Sequence, residues 1–231
     1  MNDFFVNSTY FGVVLSLLCY WLALKISAKV KNTLCNPLLI ASAMIIGVLF
    51  VCGVEYETFD KGAAYLTYFL TPATVCLAVP LYRQFQVLKN NFKAVLLGVA
   101  AGCIACLITI AGLSMMFAFE YQLTASILPK SITTAIAIGL SEEIGGVSAI
   151  TVVCVVITGI FGACTASTLF KLLKIEEPVA QGLATGAAAH AIGTSRALEI
   201  GEVQGAMSSL AIVVTGIMTV ILAPLVAGIL G

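Results

Sequence analysis

Charged residues are scarce in this sequence, and their scarcity is the first constraint on the class of protein. Only 10% of the 231 residues are charged, whereas 61% are hydrophobic, and the mean hydropathy is +1.11. Soluble globular domains carry about 25% charged residues, so this chain has too little polar surface for one. The composition predicts an integral membrane protein with almost no extramembrane domain.

The sequence also lacks the features of several other protein classes. Its net charge is zero, which gives no electrostatic reason to bind nucleic acid. The first residues, MNDFFVNSTYFG, lack the basic region of a signal peptide, so we expect the first apolar run to remain as a membrane span. There is no nucleophile–base pair, metal-ligand cluster or phosphate-binding loop. We therefore expect no enzyme activity, no metal and no other cofactor.

The eight cysteines lie within or beside apolar runs. Cys103 and Cys106 have the spacing of a redox or metal-binding pair, but no second pair or nearby histidine completes such a site. Because cysteine is small and apolar, we expect these side chains to pack between helices.

Long apolar runs indicate the membrane spans, since a transmembrane helix needs about 20 mostly apolar residues. The candidate runs are residues 8–28, 34–54, 61–83, 92–118, 123–141, 145–173, 179–199 and 205–230. Short loops join them, which predicts an all-α polytopic membrane protein with a single transmembrane domain over residues 1–231.

Basic residues set the orientation, because lysine and arginine concentrate on the cytoplasmic side. They follow the first, third and sixth runs, at Lys25, Lys29, Lys31, Arg83, Lys89, Lys93, Lys171 and Lys174. Eight crossings would place the last pair opposite the others, unless run 123–141 enters and returns, leaving Glu120 and Glu142 outside. We therefore predict seven transmembrane helices plus this re-entrant segment, with the N-terminus outside and the C-terminus cytoplasmic.

This topology relates two parts of the chain by an inverted repeat, which is common in secondary transporters. Repeat one covers residues 34–118 and repeat two residues 145–230, with three helices each. The middle run of each is interrupted, by TPAT at 71–74 and by HAIGTS at 190–195. Proline and glycine also kink ordinary spans, but two interruptions in corresponding positions favour broken helices that line a site.

Broken helices can bind an anion, because free N–H groups and the helix dipole attract negative charge at a new N-terminus. A capping side chain before a proline marks two such starts, and a proline followed by a lysine marks a third. We predict helix breaks at Pro37, Pro72, Pro129 and Gly193, with Asn36 and Thr71 as capping residues.

Two cations lie within hydrophobic runs, where a charge costs several kcal/mol unless it reaches water, a partner or a cavity. Lys130 has no acidic residue nearby in sequence, which favours a binding role. Arg196 has an alternative, because it can extend to the membrane surface and pair with Glu199 three residues on.

His190 is the only histidine of the chain and the only side chain whose unperturbed pKa lies in the physiological range. It would share a helix face with Thr194. We consider it a candidate for proton coupling, with a structural hydrogen bond as the alternative. The nearby hydroxyls can likewise bind substrate or satisfy kinked backbone.

Five segments resemble the LrgB/CidB family, in order and through nearly the whole chain. They are NPLL at 36–39, TPATVCLAVPLY at 71–82, LPKSITTAIA at 128–137, IGGVSAIT at 144–151 and GLATGAAAHAIGTSRA at 182–197. That family includes YohK-type proteins and the C-terminal half of the plastidic glycolate/glycerate transporter. The chain departs from it at Ala135, where the family pattern has proline, and at the charged pair Glu142-Glu143.

The resemblance implies a bacterial inner-membrane protein, often partnered with a small LrgA/CidA-type membrane protein. It implies two competing roles. One is the transport of small monocarboxylates such as glycolate, glycerate or pyruvate. The other is an antiholin-like role, the regulation of murein hydrolase export and autolysis without transport.

We predict a secondary transporter for a small monocarboxylate, coupled to H+ or Na+, acting alone or as a homo-oligomer. His190 is the proton-coupling candidate. The predicted substrate-binding residues are Asn36, Thr71, Thr74, Lys130, Ser131, Thr133, Thr134, Thr194, Ser195 and Arg196.

Overall fold

The computed structural model describes residues 8, 10–30, 37–69, 72, 75–76, 78–83 and 85–231. These residues form helices joined by turns, and no strand occurs among them. The chain divides into two compact units, Met1–Cys76 and Leu77–Gly231. The all-α prediction is confirmed for the part that the structure describes.

The first unit contains α1 (Phe11–Val30), α2 (Pro37–Cys52) and α3 (Tyr56–Thr67). Cys19 and Ala23 of α1 pack with Ala41 of α2 in a small buried core. A Cβ atom at Gly12 would overlap the backbone of α3 near Gly62. Glycine thus allows α1 and α3 to cross in direct backbone contact.

The second unit contains seven described helices: α4 (Ala78–Arg83), α5 (Phe85–Met116), α6 (Tyr121–Ile127), α7 (Thr134–Glu143), α8 (Ser148–Leu172), α9 (Pro178–Ile200) and α10 (Glu202–Leu230). Helix α10 packs against α4, α5 and α9, and α8 packs against α6, α7 and α9. The core consists of side chains from α5, α10 and the segments between them.

Four described helices are long and apolar enough to cross a membrane, over Phe11–Lys29, Lys89–Met116, Ser148–Leu172 and Glu202–Leu230. Helix α2 is equally apolar but has only 16 residues, fewer than the roughly 20 that a span needs. Large apolar side chains such as Leu97, Phe161 and Ile221 are exposed on these helices, as lipid-facing surfaces require. A multi-pass helical membrane protein is confirmed, whereas the count of seven spans is not.

Helices α6 and α7 form a hairpin, residues 121–144, here called the first hairpin. They have 7 and 10 residues, so neither reaches half the length of α10. The Tyr121 hydroxyl donates a hydrogen bond to the Ile144 carbonyl at 3.0 Å, which joins the two ends of the hairpin. Leu128 and Ile132 in the tip are only 1% exposed. The chain enters the unit and returns in the region predicted to be re-entrant.

Hydrogen bonds hold the first hairpin against α8. The Ser126 hydroxyl accepts a hydrogen bond from the Val147 N–H at 2.7 Å. The Thr151 hydroxyl of α8 bonds the Ser126 carbonyl at 3.0 Å and the Ser141 hydroxyl at 2.7 Å. These groups are buried, so each contact satisfies a polar group that water does not reach.

Helix α9 is interrupted at two residues. Ala189 has φ −130° and ψ 17°, and His190 has φ 41° and ψ −135°, neither of which is helical. Beyond this break the chain reverses. The reversal is shown by the contact of Gly193 with Thr185, since a Cβ atom at Gly193 would overlap the Thr185 carbonyl. In a straight helix those residues would lie about 12 Å apart along the axis.

The contacts with α10 show that the two halves of α9 run antiparallel. Gly182 in the first half and Leu198 in the second both pack against Gln204-Gly205. Closer to the break, Gly186 and Thr194 both contact Ser208. Residues 178–200 therefore form a second hairpin with its tip at His190.

This fold-back corrects the predicted topology of the second repeat. Run 179–199 was expected to cross the membrane between two other spans, and that expectation is wrong because the run returns to the end where it began. The two hairpins open at opposite ends of α8, which connects them.

The fold-back also corrects the expected orientation of the chain end. The prediction placed Glu120 outside and the C-terminus inside. Gly231, however, lies against the aromatic ring of Tyr121, at the open end of the first hairpin. Because the second hairpin makes no crossing, α10 ends on the side where the first hairpin opens. Glu120 and Gly231 therefore lie on the same side.

Candidate functional site

The second unit contains a small cavity where the first hairpin approaches the second. Its volume is about 10 Å³, close to the minimum for one water molecule. Helix α5, the first-hairpin tip, the second hairpin and α10 all contribute to it, through Cys103, Cys106, Leu128, Ser131, Ala187, Thr215 and Thr219. Thiol and hydroxyl groups thus meet in an otherwise apolar core.

Lys130 carries the charge beside this cavity. Its ammonium group donates a hydrogen bond to the Ser131 hydroxyl at 3.2 Å, and that hydroxyl lies 3.5 Å from the Cys106 sulfur. Lys130 has no ion-pair partner in the part of the chain that the structure describes. The ammonium also lies within electrostatic range of His190, so it acts on the tips of both hairpins.

The tip of the first hairpin brings a helix start to the same region. Pro129 was expected to begin a helix, but it lies in the turn after α6, and the new helix begins at Thr134. Thr133 occupies the N-cap position without a side-chain capping bond. The first N–H groups of α7 therefore have no cap from that side chain, and the positive end of the helix dipole faces the tip.

His190 forms the tip of the second hairpin and is only 3% exposed. Its Nε2 lies 3.0 Å from the Val155 carbonyl of α8, and since a carbonyl can only accept, Nε2 carries the hydrogen. The positive φ of His190 is unfavourable for a residue with a side chain. Gly159 of α8 makes room for this turn, because a Cβ atom there would overlap the imidazole ring.

The other predicted residues of the second hairpin have partners away from the cavity. The Thr194 hydroxyl donates to the His190 carbonyl at 3.0 Å and lies 2.7 Å from the Ser208 hydroxyl. Ser195 donates to the Ala191 carbonyl and is exposed. Gly193 lies inside the second half of the hairpin, three residues after the break, where it permits close packing.

Arg196 forms an ion pair with Glu199, which is the alternative role that we considered from the sequence. Its guanidinium lies 2.6 Å from the Glu199 carboxylate and also donates to the Ser167 hydroxyl at 3.0 Å. The side chain is 35% exposed. Arg196 thus has partners near the open end of the second hairpin and does not line the cavity.

The predicted residues of the first repeat are not part of this site. Asn36, Thr71 and Thr74 lie outside the described residues. Pro37 is the first residue of α2, a position where the missing proline N–H has no cost. Pro72 is exposed.

Sequence reasoning missed two threonines on α10. The Thr219 hydroxyl lies 3.4 Å from the Cys103 sulfur. The Thr215 hydroxyl is buried and has no hydrogen-bond partner among the described residues, which costs about 1–3 kcal/mol. Their spacing of four residues, on the helix face that also carries Ser208 and Ala211, was the available signal.

These features define a polytopic helical membrane protein with two opposed hairpins and, inside the second unit, a small cavity lined in part by hydroxyl and thiol groups. The model of the LrgB-like family matches residues 16–229. The chain belongs to this family, as the sequence motifs indicated.

Two similar proteins are named "Holin-like protein CidB" and come from two strains of Staphylococcus epidermidis. Each is 35% identical to this chain over 212 residues, which cover 92% of this chain and 93% of the relative. No solved structure matches the chain.

Proposed function

We propose that this protein is a secondary transporter that carries a small monocarboxylate, of the glycolate, glycerate or pyruvate class, across the bacterial inner membrane. The observation that carries the proposal is the position of Lys130. It is a half-buried cation at the tip of a hairpin, bonded to a serine that lines the cavity, and it has no acidic partner among the described residues.

Charge balance explains why such a cation suits an anionic substrate. A lysine at membrane depth is costly unless a partner or water compensates it. A transported carboxylate supplies the opposite charge and forms charge-assisted hydrogen bonds with the ammonium group. A scaffold protein gains nothing from an uncompensated cation in this position, whereas a carrier needs one that its substrate can occupy and leave.

The start of α7 adds a second attraction for an anion. Its first N–H groups, at Thr134 and the following residues, lack a side-chain cap from Thr133 and lie at the positive end of the helix dipole. Lys130, Ser131, Thr133 and Thr134 therefore form the proposed carboxylate site. Thr194, Ser195 and Arg196 belong to the framework of the second hairpin instead.

The opposed hairpins suit alternating access. In this proposal each hairpin closes the cavity toward one side of the membrane, and the displacement of one hairpin opens the cavity to that side only. Lys89 and Lys93 at the start of α5 and Lys171 and Lys174 at the end of α8 lie where the second hairpin opens. Since basic residues face the cytoplasm, the second hairpin opens inward, and the first hairpin and Gly231 face outward.

Transport is coupled to H+ or Na+ in this proposal, with His190 as the proton carrier. Its ring lies within electrostatic range of Lys130, so occupation of the site by a carboxylate would favour the protonated imidazole. The His190 hydrogen bond to Val155 also fits a purely structural role.

The second candidate function is antiholin-like regulation of murein hydrolase export, without transport. Its support is the name of the two relatives, "Holin-like protein CidB". A small LrgA/CidA-type membrane protein would be the partner in either role.

The deciding experiment is uptake by the purified chain in proteoliposomes. Labelled glycolate, glycerate and pyruvate are offered separately, with protein-free vesicles as the control. We expect saturable uptake of at least one substrate, accelerated when the same unlabelled acid is trapped inside. If no acid is taken up, while expression of the chain still alters autolysis in cells, the regulatory function replaces the transporter.

A further inference from the structure

The Thr215 hydroxyl, like that of Ser114, differs from most hydroxyls of the described membrane helices. Threonines and serines inside helices commonly donate to the carbonyl four residues earlier. In this chain Thr109, Thr165, Thr185, Thr194 and Ser209 all do so. Thr215 is 2% exposed and makes no such bond to Ala211.

The missing bond is important because of where Thr215 lies. Its side chain lines the cavity together with Ser131 of the first hairpin, whose hydroxyl accepts the hydrogen bond from Lys130. The cation and the unpaired hydroxyl therefore belong to one site, with Ser131 between them. A ligand whose carboxylate binds at Lys130 can present a neighbouring oxygen atom to α10.

We propose that Thr215 is a specificity-determining residue that binds the hydroxyl or keto oxygen on the carbon next to the substrate carboxylate. This inference rests on the proposed transport function. A threonine hydroxyl can donate to a keto oxygen or accept from a hydroxyl, so one side chain serves both 2-hydroxy and 2-oxo acids. An unsubstituted acid such as acetate leaves Thr215 unpaired and binds more weakly.

The size of the site agrees with this assignment. The cavity has room for about one water-sized group, which matches one oxygen substituent and excludes a long alkyl chain. Sites that bind a substrate oxygen discriminate against analogues that lack it, because the protein group is left without a partner. We expect a preference of about tenfold or more for glycolate over acetate.

The test compares Thr215→Val with Ser114→Ala in proteoliposomes that contain the full chain. Ser114 is a matched control, because its hydroxyl is also buried and unpaired among the described residues but does not line the cavity. Unlabelled glycolate and acetate compete with labelled glycolate, and the half-inhibitory concentration of each is measured.

In Thr215→Val the half-inhibitory concentration of glycolate should rise about tenfold, while the half-inhibitory concentration of acetate should stay within about twofold of the wild-type figure. Ser114→Ala should match the wild type for both acids, and Thr215→Ser should restore the preference because it retains the hydroxyl. If the valine variant fails to fold, Thr215→Ala removes the same hydroxyl and should show the same loss of preference.

The outcomes separate the two proposals. If the wild type takes up glycolate and Thr215→Val keeps the full preference over acetate, Thr215 has no role in specificity and only this inference fails. If Ser114→Ala loses the preference equally, the effect belongs to packing and the inference also fails. If the wild type takes up no carboxylate, the transport function fails and this inference fails with it.

Discussion

The two hairpins reverse the chain inside the same unit by different means. The first uses a six-residue turn, 128–133, with a proline and a lysine, between two separate helices. The second reverses at Ala189 and His190 alone, with a positive φ at a histidine. The longer turn presents charge and hydroxyl groups toward a cavity, whereas the short turn is filled by a side chain bonded to α8. We infer that the first hairpin binds the substrate carboxylate and that the second hairpin mainly forms the surrounding framework.

The hairpins also differ in what holds them. The first is held by buried hydrogen bonds of the Thr151 hydroxyl with the Ser126 carbonyl and the Ser141 hydroxyl. The second packs through glycines, since Gly182 and Gly186 contact the backbone of α10 with no room for a Cβ atom. The hydrogen bonds set the orientation of the first hairpin on α8, while the glycine contacts set the short distance between the second hairpin and α10. Each of these differences between the hairpins can be tested by experiment.

The largest expected effect is an all-or-none difference in labelling. Cysteines introduced singly at Glu143 and Glu177, in a background without native cysteines, report the open ends of the two hairpins. We expect an impermeant thiol reagent to label the first only from outside and the second only from inside. A third cysteine at Gly231 should behave like Glu143. Labelling of all three from one side would contradict the opposed hairpins.

The two cations should differ strongly in transport. Lys130→Gln removes the charge that compensates the substrate carboxylate, and we expect uptake to fall about 100-fold or more, in line with a lost charge-assisted interaction. Arg196→Gln breaks a surface pair with Glu199 worth about 0–1 kcal/mol, so uptake should fall less than about threefold. Initial rates at equal amounts of reconstituted protein provide the comparison. Equal losses in both variants would remove the distinction between the hairpins.

A methyl group at Gly186 should destabilise the second hairpin. In Gly186→Ala the Cβ atom would overlap the Ser208 backbone, and overpacking of this kind costs about 1–3 kcal/mol. Gly112→Ala on α5 is the control, because nothing lies within 4 Å of its Cβ position. Thermal unfolding in detergent should show a lower midpoint for Gly186→Ala only. A similar midpoint in both would argue against close packing on α10.

A smaller loss of stability is expected when the bonds between the first hairpin and α8 are removed. Thr151→Val removes the bonds to the Ser126 carbonyl and the Ser141 hydroxyl, which costs about 1–2 kcal/mol. Thr165→Val, which removes an exposed hydroxyl of the same helix, is the control. We expect hydrogen exchange of α6 and α7 to increase in the first variant and to stay unchanged in the second. Faster exchange confined to α9 would contradict this placement.

The smallest expected effect concerns His190 and appears only under a proton gradient. His190→Gln keeps a donor for the Val155 carbonyl but cannot titrate. We expect uptake without a gradient to remain within about twofold, while acceleration by an inward proton gradient disappears. A variant that keeps the wild-type acceleration would assign His190 a structural role and make Na+ the next candidate for coupling.

The sequence predicted one hairpin and missed the other for a physical reason. Pro129 and Lys130 interrupt a short run, and the positions of the lysines required that run to return. Residues 179–199 have the length and polarity of an ordinary span, and no proline or glycine stands at the actual break. The reversal depends on contacts of Gly182 and Gly186 with α10, which local patterns do not contain.

The candidate site was likewise only partly predictable. A lysine in an apolar run is unusual enough to stand out, so Lys130 was recognised. Thr215 was not, because a threonine in a membrane helix normally bonds its own backbone. Only the three-dimensional arrangement shows a hydroxyl that lacks this bond and lines a cavity.

Helix α8 contacts both hairpins, the first through Thr151 and the second through Gly159. These contacts are eight residues apart, or about 12 Å along the helix axis. Substitutions more than about 7–10 Å apart that share no partner normally have additive effects on stability. Thr151 contacts Ser126 and Ser141, whereas Gly159 lies against His190. The double-mutant effect should therefore be close to the sum of the single effects, so that either hairpin can be loosened without loosening the other.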